Sequence, residues 1–202
     1  MKELKKAPLE KFPDSHHDVY SKTVFGFWLY ILTDFMLFAT LFAVYAVLHK
    51  STYGGPPAKD ILSLDTAYIQ SHVFLISTLF ISFSGMYAHR RQAKLVNFTL
   101  VITLLLALLF LYLQFHEFHQ LLQKGHSWVK SGYLSAYYTV IGTHTLHVVL
   151  GVIWIVLLII SVSISGITPA TIRRVVCMKM FWQFLNIIWV FIFAIIYLLG
   201  FI

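Results

Sequence analysis

The chain has 202 residues, of which 59% are hydrophobic and only 11% charged, with a mean hydropathy of +0.79. A soluble domain carries about a quarter charged residues, so these proportions exclude one and indicate a protein that resides in lipid. The net charge of +7 sits beside apolar blocks, where it acts as an orientation signal and a weak attraction to anionic headgroups rather than as a nucleic-acid footprint.

In chain order, residues 1–23 are expected to be a cytoplasmic N-terminal arm. Its first 22 residues hold nine Lys, Asp and Glu and no apolar core, which is unlike a cleaved signal peptide. Residues 24–202 are expected to form one all-α domain, an integral membrane bundle of five transmembrane helices. The first block, Val24–Leu48, is long enough for the roughly 20 helical residues that cross a hydrocarbon core. It carries Asp34, interfacial aromatics at Phe25, Phe27 and Trp28, and a stripe of Ala39, Ala43 and Ala46 that predicts close approach of a neighbouring helix. "KSTYGGPPAKD" follows and predicts a set of turns.

The second block, Ala67–Ala88, contains Gln70 and His72, with Ser and Thr side chains expected to bond backward to their own helix. Arg90, Arg91 and Lys94 separate it from the third block, Val96–Phe118, which ends in "FHEFHQ" with Glu117. His116, His119 and His126 are expected at the interface or in solvent. The fourth block, Ser135–Ile164, places His144, His147 and Gly151 on one helical stripe at i, i+3 and i+7, with Gly142 on the other flank of the histidines. That stripe predicts a face touching another helix. "SGITPATIRRVVCMK" then predicts a helix stop at Pro169 and a basic loop. The fifth block, Val176–Phe201, contains Gln183 and Asn186. Cys177 is the single cysteine, so neither an internal disulfide nor a cysteine-based metal site is possible.

Basic residues orient the spans. The arm, the second loop and the fourth loop carry eleven Lys and Arg, and the first and third loops carry four. The bias puts the N-terminus in the cytoplasm and the C-terminus on the extracytoplasmic side, as an odd number of spans requires.

Ionisable groups at membrane depth are costly, so each calls for a partner or a task. Counting about 1.5 Å per residue from the cytoplasmic ends assigns Asp34, Gln183 and Asn186 to an inner polar layer. Glu117, His144, His147 and His72 fall in an outer one. One glutamate and a Glu-x-His fall short of the carboxylates a di-iron site needs. Three readings stay open for these residues. The favoured one is a structural polar network in which the histidines donate to Glu117 and to backbone carbonyls. The others are proton handling by Glu117 or Asp34 and a bis-histidine haem held by His72 with His144 or His147, which would make the chain a membrane b-type cytochrome.

"GFWLYILTDFMLFATLFAVYAVL", "GGPPAKDIL", "HEFHQLL", "SGYLSAYYTVIGTHTLHVVLGVIW" and "FWQFLNIIWVFIFAIIYLLG", in this order, resemble subunit III of the haem–copper terminal oxidases. The five-span form and its outer loop are most similar to subunit III of cytochrome bo-type ubiquinol oxidases, multi-pass proteins of the bacterial inner membrane. The resemblance covers nearly everything after the arm. It implies a noncatalytic, stabilising subunit of a proton-pumping quinol oxidase. The chain would hold no redox centre; haem and copper would lie in subunit I, its direct partner, and phospholipid would bind in a cleft of this chain. It also matches Asp34, Glu117, His144 and His147 to family positions and makes the two histidines structural. Gln183 and Asn186 depart from the family pattern, which has a histidine and an aspartate there, so a titrating role at those positions is in doubt. Within the family, the third subunit of a cytochrome c oxidase or of a nitric oxide reductase system is the alternative.

Overall fold

The computed structural model describes residues 16–52 and 63–198. They form five long helices: α1 (His16–Leu48), α2 (Leu64–His89), α3 (Ala93–Gln123), α4 (Gly132–Ser165) and α5 (Pro169–Ile192). α5 runs on into a π-helical segment, Phe193–Leu198. All five are long and apolar enough to span a membrane. Helices suit that solvent because every interior N–H and C=O is satisfied within the segment. The turns of "KSTYGGPPAKD" lie largely outside the described residues, as does residues 1–15 of the arm.

Two boundaries differ from the expectation. α1 begins at His16, eight residues before Val24. The stretch from Ser165 to Lys179 is not a long loop. α4 ends at Gly166, whose φ of +64° suits a residue without a side chain, and α5 begins three residues later at Pro169. Proline is tolerated in the first turn because its missing N–H would have no intrahelical partner there. Thr168 caps the helix by accepting from the Thr171 N–H at 3.2 Å. Arg173, Arg174 and Lys179 therefore stand on α5 itself.

Helices α2, α3, α4 and α5 close a four-membered ring in which each packs against the next and α5 returns to α2. α1 stands outside the ring and leans on α4 and α5. Burial agrees: half of the most apolar window of the fifth span is buried (50%), against 22% for the first. The buried side of α1 is Ile31, Asp34, Phe38 and Tyr45, whereas Ala39, Ala43 and Ala46 face outward. The alanine stripe is therefore not the face that packs on this chain's own helices.

With lipid as the solvent, packing rather than water exclusion holds such helices together. The interior is accordingly filled with rings, among them Trp182, Trp189, Phe74, Phe110 and Phe38, all fully buried. Gly151 allows α4 to approach α5: a Cβ there would stand 2.8 Å from Trp182 Cζ3. Gly142 has open space around it and serves no such approach.

Candidate functional site

Three polar clusters are stacked through the interior. The first surrounds Glu117 on α3, which is only 5% exposed. Tyr197 Oη donates to both carboxylate oxygens, at 3.0 and 3.2 Å, Tyr137 Oη donates at 3.3 Å and Gln70 Nε2 at 3.4 Å. One side chain thus ties together α2, α3, α4 and the end of the fifth span. Tyr197 belongs to the π-helical segment, whose wider turn shifts the face that an α-helix would have presented. The histidine partners expected for Glu117 are not its partners.

The second cluster is the histidine pair. His144 is fully buried in a cage of Trp189, Phe74, Phe110 and Phe38, with ring centroids 5.3–6.4 Å away. Its Nε2 is 3.1 Å from the Leu185 carbonyl of α5. A carbonyl only accepts, so Nε2 carries the proton and Nδ1 is left as an acceptor. In His147, Nδ1 donates to the Thr143 carbonyl at 2.8 Å, and Nε2 faces Asp34 Oδ2 at 3.7 Å. That separation is too long for a hydrogen bond, and the contact is ionic only when the imidazole is protonated. Asp34, assigned to the inner layer, and His147, assigned to the outer, meet at mid-depth. The depth count slipped because α1 starts earlier than its apolar block, which moves Asp34 to the middle of the helix.

The third cluster joins α2 to α5. Ser71, Ser77 and Ser82 donate backward to their own helix and accept from Trp189 Nε1 (3.0 Å), Trp182 Nε1 (3.0 Å) and Gln183 Nε2 (3.3 Å). Gln183 therefore binds α2, not Asp34. Asn186 makes no side-chain hydrogen bond through its buried Oδ1. The cross-helix serines and tyrosines 137 and 197 were missed from sequence. The Trp182 and Trp189 spacing of seven, set against serines on α2, is the one sequence signal that this seam leaves.

His72 does not converge with His144. It lies about 200° around α2 from both Gln70 and Phe74, the buried residues two before and two after it. It is exposed, and its Nδ1 donates to the Tyr68 carbonyl at 2.8 Å. His144 and His147 lie on one helix and His72 faces away from both, so these three offer no pair of axial ligands on facing helices. Among the described residues no three His, Cys, Asp or Glu side chains gather as a metal site.

Outside the clusters, an apolar groove of about 350 Å³ runs between α1 and α5, lined by Trp28, Leu32, Phe35, Met180, Gln183 and Ile187 among others. It continues past Phe35 to Phe42 and Phe191. A separate cavity of about 320 Å³, among α1, α4 and the first turns of α5, is bordered by Thr23, Trp154, Arg173 and Arg174.

These features define a helical membrane protein whose polar residues cross-link its spans and converge on no reactive centre among the described residues. The sequence matches the family model of cytochrome c oxidase subunit III over residues 10–201. It is 37% identical to cytochrome bo(3) ubiquinol oxidase subunit 3 of Pseudomonas aeruginosa, over 93% of this chain and 90% of the relative. It is 39% identical to the protein of the same name from Pseudomonas putida, over 91% and 89%. With cytochrome c oxidase subunit 3 of Bacillus sp. (strain PS3) it shares 32% identity over 93% and 91%. The chain belongs to the cytochrome c oxidase subunit III family, whose members are oxidase subunits without redox centres of their own. It is a multi-pass protein of the bacterial inner membrane.

Proposed function

We propose that the chain is the noncatalytic third subunit of a proton-pumping respiratory quinol oxidase, in which haem and copper belong to subunit I. The observation that carries the choice of quinol is that the relatives of 37–39% identity are named as ubiquinol oxidase subunits, whereas the cytochrome c oxidase subunit stands at 32%, level with further ubiquinol oxidase relatives at 31–32%. The internal arrangement supports a packing role. Glu117, His144, Asp34 and the serine seam each join helices, and none stands beside an activated nucleophile or an open ligand position.

The groove between α1 and α5 supports phospholipid binding by the same chain. Its walls suit acyl chains, and Arg173 and Arg174 with Trp154 border a separate cavity nearer the N-terminus of α5, where guanidinium groups suit a phosphate. Lys22, Arg90, Arg91, Lys94 and Lys179 lie at that same end of the bundle, which supports its placement on the cytoplasmic side.

Purification of the assembled complex in mild detergent, with its subunit composition and its activity toward ubiquinol and reduced cytochrome c, tests the reading. A haem–copper partner and quinol oxidation are expected. Oxidation of cytochrome c alone would move the chain to that branch of the family. A Soret band on the isolated chain would replace the packing role with a b-type cytochrome.

A further inference from the structure

Three polar side chains of α5 are turned toward the outside of the bundle. Ile187 and Val190, each 52% exposed, and Phe191 mark the outer side of that helix. Lys179, Gln183, Asn186 and Val190 follow one another at i, i+4, i+7 and i+11, which sets them on one stripe along the edge of that side. The stripe borders α2. A Cβ at Gly85 would stand 3.2 Å from Lys179 Cδ, so the lysine stem lies across α2 at that glycine, and Gln183 Nε2 donates to Ser82 Oγ at 3.3 Å. Lys179, Gln183 and Asn186 are all half-buried. Asn186 Oδ1 is covered by the chain yet receives no hydrogen bond. Among the described residues no carboxylate pairs with Lys179; the acid–base contact they hold is that of Asp34 with His147.

In hydrocarbon, polar and ionisable side chains turn toward protein and pair there. A stripe that holds an amide oxygen without a donor and a cation without an anion therefore calls for cover. Lipid does not supply it. At 1.5 Å per residue Asn186 stands about 25 Å along the fifth span from Pro169 and about 18 Å before Leu198, below the headgroups of either leaflet, and acyl chains carry no donor. A second copy of this chain does not supply it either, because a two-fold contact through this stripe sets Lys179 against Lys179.

We propose that this seam between α2 and α5 is the docking surface for a transmembrane helix of a partner oxidase subunit. The helix presents a carboxylate opposite Lys179. About 10 Å deeper, two helical turns on, it presents an N–H or O–H opposite Asn186 Oδ1, from an Asn, Gln, Ser or Thr side chain. Charge complementarity selects the occupant at the cytoplasmic end, and the amide fixes its depth. Such docking presupposes the oxidase complex proposed above and adds the face on which this chain meets it, whether the electron donor is quinol or cytochrome c.

A photoreactive side chain in place of Val190, and separately in place of Leu75, which is 48% exposed on α2, tests the seam in the assembled complex. Illumination is expected to join this chain to a transmembrane peptide of another oxidase subunit, with an aspartate or glutamate on the cytoplasmic side of the joined residue. Adducts with phospholipid alone, with a second copy of this chain, or with a partner peptide lacking that acid would overturn the docking while the other subunits in the preparation leave the oxidase assignment standing. A preparation without other oxidase subunits would overturn both. Asn186→Leu gives a second measurement, whose sign decides. Against a partner helix the leucine strands a donor and is expected to speed release of this chain from the complex about three- to tenfold. Against lipid the leucine replaces an unpaired amide, and unchanged or slower release would overturn the docking.

Discussion

Replacing Glu117 tests whether one buried acceptor holds four segments together. Glu117→Ala leaves the Tyr197 and Tyr137 hydroxyls and the Gln70 amide without the acceptor they now share at 3.0–3.4 Å. A lower bound on the cost is about 2 kcal/mol, three contacts at the ~0.6 kcal/mol average for interhelical hydrogen bonds in lipid. The upper bound is about 9 kcal/mol, three donors each stranded at about 3 kcal/mol with no relaxation. Even the lower bound exceeds about 1.4 kcal/mol, the equivalent of tenfold in an equilibrium constant.

Glu117→Gln is expected to stay within about 1 kcal/mol of the native chain, because most of the hydrogen bonds survive. Its oxygen still accepts from the tyrosines. Its amino group meets Gln70, whose Oε1 is unengaged and becomes the acceptor when that amide turns over. Native electrophoresis of the complex over a temperature series reads out the fraction that keeps this chain. Early loss for alanine and near-native retention for glutamine are expected. Equal loss for both would refute the hydrogen-bond account and assign the effect to the negative charge. Retention of both would mean that the cluster contributes little.

Gly151→Ala is expected to destabilise the chain by about 1–3 kcal/mol through overpacking against Trp182, whereas Gly142→Ala, which meets open space, serves as the neutral control in the same thermal assay. A reporter fused after Ile202 is expected to be active only outside the cytoplasm and one placed at Arg90–Lys94 only inside it; the reverse would overturn the orientation. Arg173→Gln with Arg174→Gln is expected to lower the phospholipid that native mass spectrometry finds on the complex, and unchanged retention would remove these arginines from a lipid site. His144→Ala with His147→Ala is expected to weaken assembly while every haem remains in the absorption spectrum; loss of one haem per complex with the chain still assembled would restore the bis-histidine reading.

Much of the architecture was legible in the residues. Five apolar blocks became five helices because lipid leaves a chain crossing it little alternative to internal backbone pairing. Asp34, Glu117, His144 and His147 stood out for the same reason, since each is an expensive group among apolar neighbours. Their partners were not legible. A helix that is apolar on all sides does not encode which face meets protein and which meets lipid, so Ile31, Asp34 and Phe38, not the alanines of α1, form the face that meets this chain's other helices. Depth counted from an apolar block missed the early start of α1 and separated Asp34 from His147. The Glu117 cluster depends on Tyr197, which is aimed by a π-helical turn that no spacing rule anticipates. Composition and hydropathy decided that these segments cross a membrane; helix register, side-chain lean and one widened turn decided which polar groups meet, because those depend on distances of a few ångströms between segments far apart in the chain.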